Sequence, residues 1–493
     1  MVKRGFMHRF LWIALSVLLL LLDACISYAE NPIIHDEIMS SEEEQLQVDS
    51  SLNNSSHSAY LDVGFILNQK LKSLVAGVPV DYWETDTLIK AIRMTDALPE
   101  SFEPSEINTV SIESSPYPVY AFFDNVDNNG IIYIYTEGIR IVANPSMNQA
   151  FLHMSSLTDI SGLSGWDVSQ VEDMTGTFYG ATSLKKISAL QNWDTGNVLS
   201  FHGTFSNSGI IDATPLANWN TSKAINMSSM FSRANSLRKV DVSHWNTENV
   251  TDMAGMFAVG NNYSGDGVLS NIIGLGNLNV SNVTDMTCMF YGAGCMTHYD
   301  ISGWDVSNVQ SFNHMFCDNF NLKSLDLSAW NVSNVRTMYN MFDDNFALST
   351  IGDVSHWDTS SLIDVGGWLN GARSFIGDNG TLDLSGWNTE NLKVAGEMFR
   401  EVKLHTIDLS GWTFSSITNK SWPGAGNGIY YTYGNESYSG LGGMFLIAVN
   451  LSTVYVSPAG YESYTEAVSR GVSISDMWTG APADAFTVSD TRQ

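Results

Sequence analysis

Large apolar residues return along this chain at fixed distances from tryptophan. Trp occurs at 166, 193, 219, 245, 304, 330, 357, 387 and 412, with Leu278 standing in once, so the period is near 26 residues. Counting from each Trp, apolar side chains recur five, eight, eleven and twelve places later: Val250, Met253, Met256 and Phe257 in one copy, Val335, Met338, Met341 and Phe342 in another. Degenerate copies change the residues and keep their size, as Leu362, Val365, Trp368 and Leu369 do. Steps of three, three and one predict one face of a short helix. Upstream of Trp330, "LKSLDLSAW" places Leu322, Leu325 and Leu327 in an L-x-x-L-x-L alternation that predicts a short strand.

Each unit therefore reads as strand, turn with Trp, then helix. Such a unit cannot bury its own apolar face, so copies must stack. The fold class expected is an α/β repeat: a leucine-rich-repeat-like solenoid of short strand-turn-helix coils of about 26 residues, concave on the strand side because strands pack closer together than helices. The Trp, Met and Phe ladders are its core. Asp and Ser of "LDLS", and Ser and Asn of "VSN", suit backbone capping at turns and helix starts.

Outside the repeat the pattern changes. The segment "YPVYAFFDNVDNNGIIYIYTEGIRIVAN" holds two aromatic and β-branched runs around "DNNG", which predicts a hairpin with Asn129 and Gly130 at positive φ. A helix is expected around Asp86–Arg93. The opening 29 residues have Lys3, Arg4 and Arg9 ahead of an apolar run from Phe10 to Leu22, the layout of a signal peptide. Two cuts fit it: after Ala29, freeing the chain, or at Cys25 in "LDAC", where acylation would tether it. The expected divisions are 1–29 signal peptide, 30–58 flexible tether, 59–150 N-terminal α+β cap, 151–480 repeats and 481–493 polar tail. Localisation follows as secreted or cell surface. A lipid anchor at Cys25 is the one membrane contact expected, since no later segment reaches spanning length.

Composition narrows the partners. A formal charge of −29 lacks the clustered cations that phosphate binding needs, so nucleic acid is excluded as a partner. After cleavage at Ala29, Cys288, Cys295 and Cys317 remain. Their odd number allows at most one bridge plus one thiol, so disulfides do not hold this fold.

The stretches "LDLSGWNTENL", "VDVSHWNTENVTDMAGMF" and "WDVSNVQSFNHMF" resemble the BspA-like leucine-rich-repeat surface proteins of bacteria, and in particular their mycoplasma-type repeat. The resemblance covers about Leu71 to Gly480. It implies an exported surface solenoid, an adhesin or host-interaction protein with no catalytic residues to carry over. Its partner would be a host extracellular protein or a mucus glycoprotein. Two alternatives stand beside this: a structural envelope spacer, and a carbohydrate-binding protein. No "LPxTG" sorting signal is present.

Candidate chemistry is sparse. "DNVDNNG" has an acidic-loop look from Asn125 through Asp127, Asn129 and Gly130, but Thr136 stands where the twelfth-position acid of a calcium loop belongs. His202, His244, His298, His314, His356 and His405 form no H-x-x-x-H pair, and no G-x-S-x-G or phosphate loop appears. No enzyme, metal or cofactor is therefore expected. Insertions that break the period are the better candidates, because extra residues in a repeat map to loops. One is "AVGNNYSGDG" from Ala258. The other, Ser421 to Gly440, carries Trp422, Tyr430, Tyr431, Tyr433 and Tyr438 among Gly and Ser, a composition suited to adaptable contacts and the expected ligand-binding set.

Overall fold

A computed structural model describes residues 57–260, 267–419, 440–481 and 485–488. They fall into two compact units that divide near Asp305 and Val306.

The first unit begins with a cap. Strand β1 (Ser58–Tyr60) pairs in parallel with β5 (Arg140–Val142), and helix α1 (Gly64–Ala76) follows β1, closed by Gly77 in the left-handed region. Strands β2 (Ala91–Met94), β3 (Tyr120–Asp124) and β4 (Ile131–Tyr135) form a sheet in the order β2-β4-β3. The β3–β4 hairpin forms where "DNNG" lies, antiparallel with Phe122 facing Tyr133. Its turn differs in detail: Asp127, Asn128 and Gly130 take positive φ, while Asn129 stays at −74°. Residues 91–94 are strand, not helix, because they pair in parallel with β4, with Ala91 and Ile92 buried there.

From Met147 onward, one backbone device recurs. The N–H groups of Met174, Gly176, Phe178 and Gly180 donate at 2.8–2.9 Å to the carbonyls of Ser200, His202, Thr204 and Ser206 in the next repeat. The residues between them turn back within their own repeat: Thr177 N–H reaches Met174, Tyr179 reaches Gly176, and Ala181 reaches Phe178. We call this segment a rung. It recurs in the second unit, where Val365, Gly367, Leu369 and Gly371 donate to Val394, Gly396, Met398 and Arg400.

A rung is not a helix, and this corrects the strand-turn-helix reading of the repeat. A helix would use every N–H four residues back within the same segment; here alternate N–H groups leave for the next repeat, and the rest close three-residue turns. Two residues per rung, ten and fourteen places after the Trp, sit near φ +55°, as Asn340 and Asp344 do at 51° and 54°. That geometry keeps the apolar spacing of three, three and one on one side without forming a helix.

The strand position ahead of the Trp varies. In the first unit it is a 3-10 turn at Ser161–Leu163, Ser188–Leu190 and Thr214–Leu216, and a strand pair at β6 (Lys239–Asp241) and β7 (Asn271–Ile273). In the second unit, β8 (Thr381–Asp383), β9 (Thr406–Asp408), β10 (Thr453–Val456) and β11 (Phe486–Val488) form one parallel sheet in the order β11-β10-β9-β8. Helix α2 (Pro458–Ser469) follows β10, its N-terminus capped by the Ser457 hydroxyl, which accepts from Gly460 N–H.

The ladders are buried in the described repeats ahead of the last rung. Phe151, Phe178, Phe205, Phe231, Phe257 and Phe290 stack in sequence with centroids 5.2–5.9 Å apart. Trp387 lies between Trp357 and Trp412 at 6.0 and 6.2 Å. The buried indole N–H is satisfied across repeats: Trp193 donates to Leu163 O, Trp219 to Leu190 O and Trp387 to Val354 O, all within 3.0 Å. These Trp residues therefore supply apolar area and one bond between neighbouring repeats, whereas the Trp166 indole N–H has no partner among the described residues.

Candidate functional site

The polar residues of the repeat are occupied by its own backbone. In "LDLS", the Asp carboxylate accepts from the Ser N–H two residues on, as Asp326 does from Ser328 at 3.1 Å and Asp383 from Ser385 at 2.9 Å. The Ser328 hydroxyl and N–H hold the Asp326 carboxyl below its usual range. The residue after Trp repeats the device, with Asn246 accepting from Glu248 N–H and Asp358 from Ser360 N–H, both at 3.0 Å. The Asn of "VSN" and "TEN" reaches back one repeat: Asn249 donates to Ser222 O and Asn334 to Ser307 O. Thr247 and Thr359 donate forward, to Asn279 O and Asn388 O. These groups set the turns.

One column faces outward. Six places after each Trp lie Glu172, Leu199, Ile225, Thr251 and Thr284 in the first unit, and Gln310, Arg336, Ile363, Lys393 and Thr418 in the second. Within each unit, every N–H after the first of its set donates to the carbonyl of its predecessor, as Ile225 does to Leu199 O at 2.8 Å and Lys393 to Ile363 O at 2.7 Å. The side chains are thus displayed at strand spacing, roughly 4.8 Å. Leu199 and Ile225 remain 40% and 47% exposed.

The next residue along turns toward the protein. Parallel bridges join Asp173, Ser200, Asn226, Asp252 and Asp285 in order. Burial pushes the Asp252 carboxyl up to about 7; Asp285 beside it adds to the push, and bonds from Ala254 N–H and Ser228 oppose it. Burial does the same to Asp364, up to about 7, against a bond from Gly366 N–H. Burial also raises the Asp343 carboxyl, with Asp344, Asp318 and Glu397 adding and Arg400 opposing. Among the described residues, no group of three or more His, Cys, Asp or Glu is arranged to hold a metal ion.

The expected ligand-binding residues Trp422, Tyr430, Tyr431, Tyr433 and Tyr438 lie outside the described residues, as do Cys25 and Ala29. The base of the Tyr-rich insertion is described. Thr418 N–H donates to Lys393 O, and Gly440 O accepts from Ala395 N–H, so both ends are pinned two residues apart on one rung. Asn419 adds two bonds of 2.6 Å, donating to Gly471 O and accepting from Ser473 N–H. The first insertion closes on glycine: a Cβ on Gly260 would lie 2.5 Å from Gly292 Cα, and one on Gly267 would lie 2.2 Å from Gly292 O.

The other sequence candidates have structural surroundings. The hairpin acid is Asp124, whose oxygens accept from Val126 N–H and the Asn129 amide, fixing the turn. Cys295 is exposed, whereas Cys288 and Cys317 are buried. His202 pairs with the Ser228 hydroxyl at 2.8 Å and His356 with Ser328 O at 2.8 Å. Burial lowers the His314 pKa to about 4. Sequence reasoning missed the left-handed pair in each rung and the half-buried acid column. The recurrence of Gly at 176, 203, 255 and 367, always ten places after the Trp, was the available signal for the first.

A family model described as "Mycoplasma protein of unknown function, DUF285" matches residues 145–271, 266–382 and 346–422, which together span more than half of the sequence. No curated protein and no solved structure matches it.

Proposed function

The chain belongs to that mycoplasma-type repeat family, and on this premise we propose that it is an exported surface protein of the BspA-like leucine-rich type. In this reading it is a solenoid acting as a non-enzymatic adhesin that engages a host extracellular protein or mucus glycoprotein. The observation that carries it is the use of side chains within the repeats. Apolar ladders are buried and the turn residues bond the backbone, so recognition falls to the outward column and to insertions. The Tyr-rich insertion, with both ends pinned to one rung, has the aromatic and small polar composition of an adaptable contact surface. The signal-like first 29 residues support export.

The test is saturable binding of the purified chain from Glu30 onward to immobilised mucin, fibronectin and fibrinogen. A second version has residues 421–439 replaced by a short Gly-Ser linker that keeps Asn419 and Gly440. Binding lost with the insertion, circular dichroism unchanged, is the expected result. Binding retained moves recognition to the outward column. Absence of binding to all three ligands refutes the adhesin reading for these ligand classes and favours an envelope spacer.

A further inference from the structure

The last described rung, Ile474 to Gly480, has one open side. Its carbonyls are used: Ser473, Ser475, Met477 and Thr479 accept from the N–H groups of Leu441, Gly443, Phe445 and Ile447 at 2.7–3.0 Å. It has the conformation of an inner rung, with Asp476 and Gly480 at φ 54° and 79° in the two left-handed positions. Its own outgoing donors are the N–H groups of Ile474, Asp476, Trp478 and Gly480. Among the described residues none of the four has an acceptor.

The apolar ladder is open at the same place. Leu441 and Phe445 are fully buried one repeat earlier, whereas Ile474 in the equivalent position is 38% exposed and Trp478 is part-exposed. Trp478 stacks on Phe445 at 4.7 Å and meets Phe486 at 5.1 Å, which covers one edge only.

We propose that this edge docks a rung-forming segment of another polypeptide, basic in charge, which adds as one further rung. The occupant follows from continuity, because within each unit this face of the inner rungs is covered by the carbonyl side of the next rung, as Phe399 N–H is by Met444 O at 2.9 Å. A second copy of this chain is disfavoured on both sides. Placed edge to edge, donors would meet donors. Its opposite side, the carbonyl side of the first rung, is already served by α1: Gly64 N–H donates to Ser146 O and the buried Asn68 amide to Leu152 O. Charge selects within rung-forming segments, since exposed Asp476 sits mid-edge in a chain of net charge −29. Added strands bind through main-chain bonds, and pockets for alternate side chains give specificity.

The chain itself supplies a probe with this chemistry. Residues Lys223 to Val240 contain a rung, carry Lys223, Arg233, Arg238 and Lys239, and have no acid. A fluorescein-labelled peptide of that sequence is titrated into the chain from Glu30 onward, beside a scrambled peptide, with anisotropy and amide hydrogen exchange as readouts. The expected result is saturable binding of the ordered sequence with slowed exchange confined to residues 473–481. Asp476→Lys and, separately, Ile474→Lys weaken it by roughly tenfold or more, about the effect of one lost interface contact, with circular dichroism unchanged. No saturation below a peptide concentration on the order of 1 mM, equal binding of the scrambled peptide, or protection elsewhere overturns the proposal. Protection of the same amides that rises with protein concentration and no peptide overturns the choice of occupant. Mucin, fibronectin and fibrinogen are absent from this assay, so its outcome is separable from that of the adhesin test.

Discussion

Replacing Asp252 by Asn tests the half-buried acid column. Asp252 lies between Asn226 and Asp285 in a row of parallel bridges, and its Oδ1 accepts from Ala254 N–H at 2.9 Å. Asn226 does the same work one rung earlier, accepting from Ser228 N–H at 2.8 Å, so an amide fits the site. Burial holds the carboxyl up at about 7 in the folded chain against 3.8 for an unperturbed Asp. A folded pKa raised in this way favours the neutral acid. The resulting stability is fully present below the unfolded value, declines as pH rises between about 4 and 7, and is gone above that. At about 1.4 kcal/mol per unit, a gap of roughly three units corresponds to about 4 kcal/mol. Asp252 is only half-buried, so solvent screening reduces this, and about 2 kcal/mol is the working magnitude. Asp252→Asn removes the charge and keeps the acceptor. The variant should match the parent at pH 4 and exceed it by about 2 kcal/mol at pH 8. Urea unfolding followed by Trp fluorescence at pH 4, 6 and 8 measures this. Asp285→Asn should recover a smaller share by deleting the neighbouring charge. A gain independent of pH, or a loss at pH 8, would refute the reasoning, because Asp252 would then be an ionised, stabilising group.

Three further outcomes follow from the same geometry. Trp387→Ala should cost about 3–5 kcal/mol, since it empties the space between Trp357 and Trp412 and removes the indole bond to Val354 O; an unchanged urea midpoint with lost ligand binding would instead make the Trp ladder a contact surface. His314 is buried with its pKa lowered to about 4, so its protonation opposes folding and stability falls as pH drops from 6.5 towards 4. Asn340 fills the equivalent left-handed position one repeat on, so His314→Asn should raise the urea midpoint at pH 4.5 and change it little at pH 8. Gly260→Ala should cost about 1–3 kcal/mol, because its Cβ would meet the Gly292 backbone at 2.5 Å; a silent substitution in thermal melts would show that the base of the first insertion yields.

The sequence made the buried positions legible and misread the backbone that carries them, and both facts have one cause. Apolar spacing reports which side chains share a side, so Val335, Met338, Met341 and Phe342 could be assigned to the core without knowing the conformation between them. The same spacing arises from a helix and from a run of tight turns that contains left-handed residues. What separates the two is the residue at positive φ, and that signal is diluted here. Gly occupies the two positions in one repeat, as Gly367 and Gly371, but Asn340 and Asp344 hold them in the preceding repeat and Glu397 and Glu401 in the following one. Asn and Asp tolerate this region, whereas Glu does not favour it. At Glu397 and Glu401 the rung bonds to Gly442 and Leu446 hold the backbone in place, so tertiary pairing overrides local preference. The acid column was hidden for a related reason. In "VTDM" the Asp looks like an ordinary capping residue, and only the parallel bridge from repeat to repeat sets Asp252 beside Asp285, where burial and then that neighbour raise its pKa. Pairing between repeats therefore decides both the conformation and the ionisation of the turn residues, while the sequence of a single repeat decides only which residues are buried.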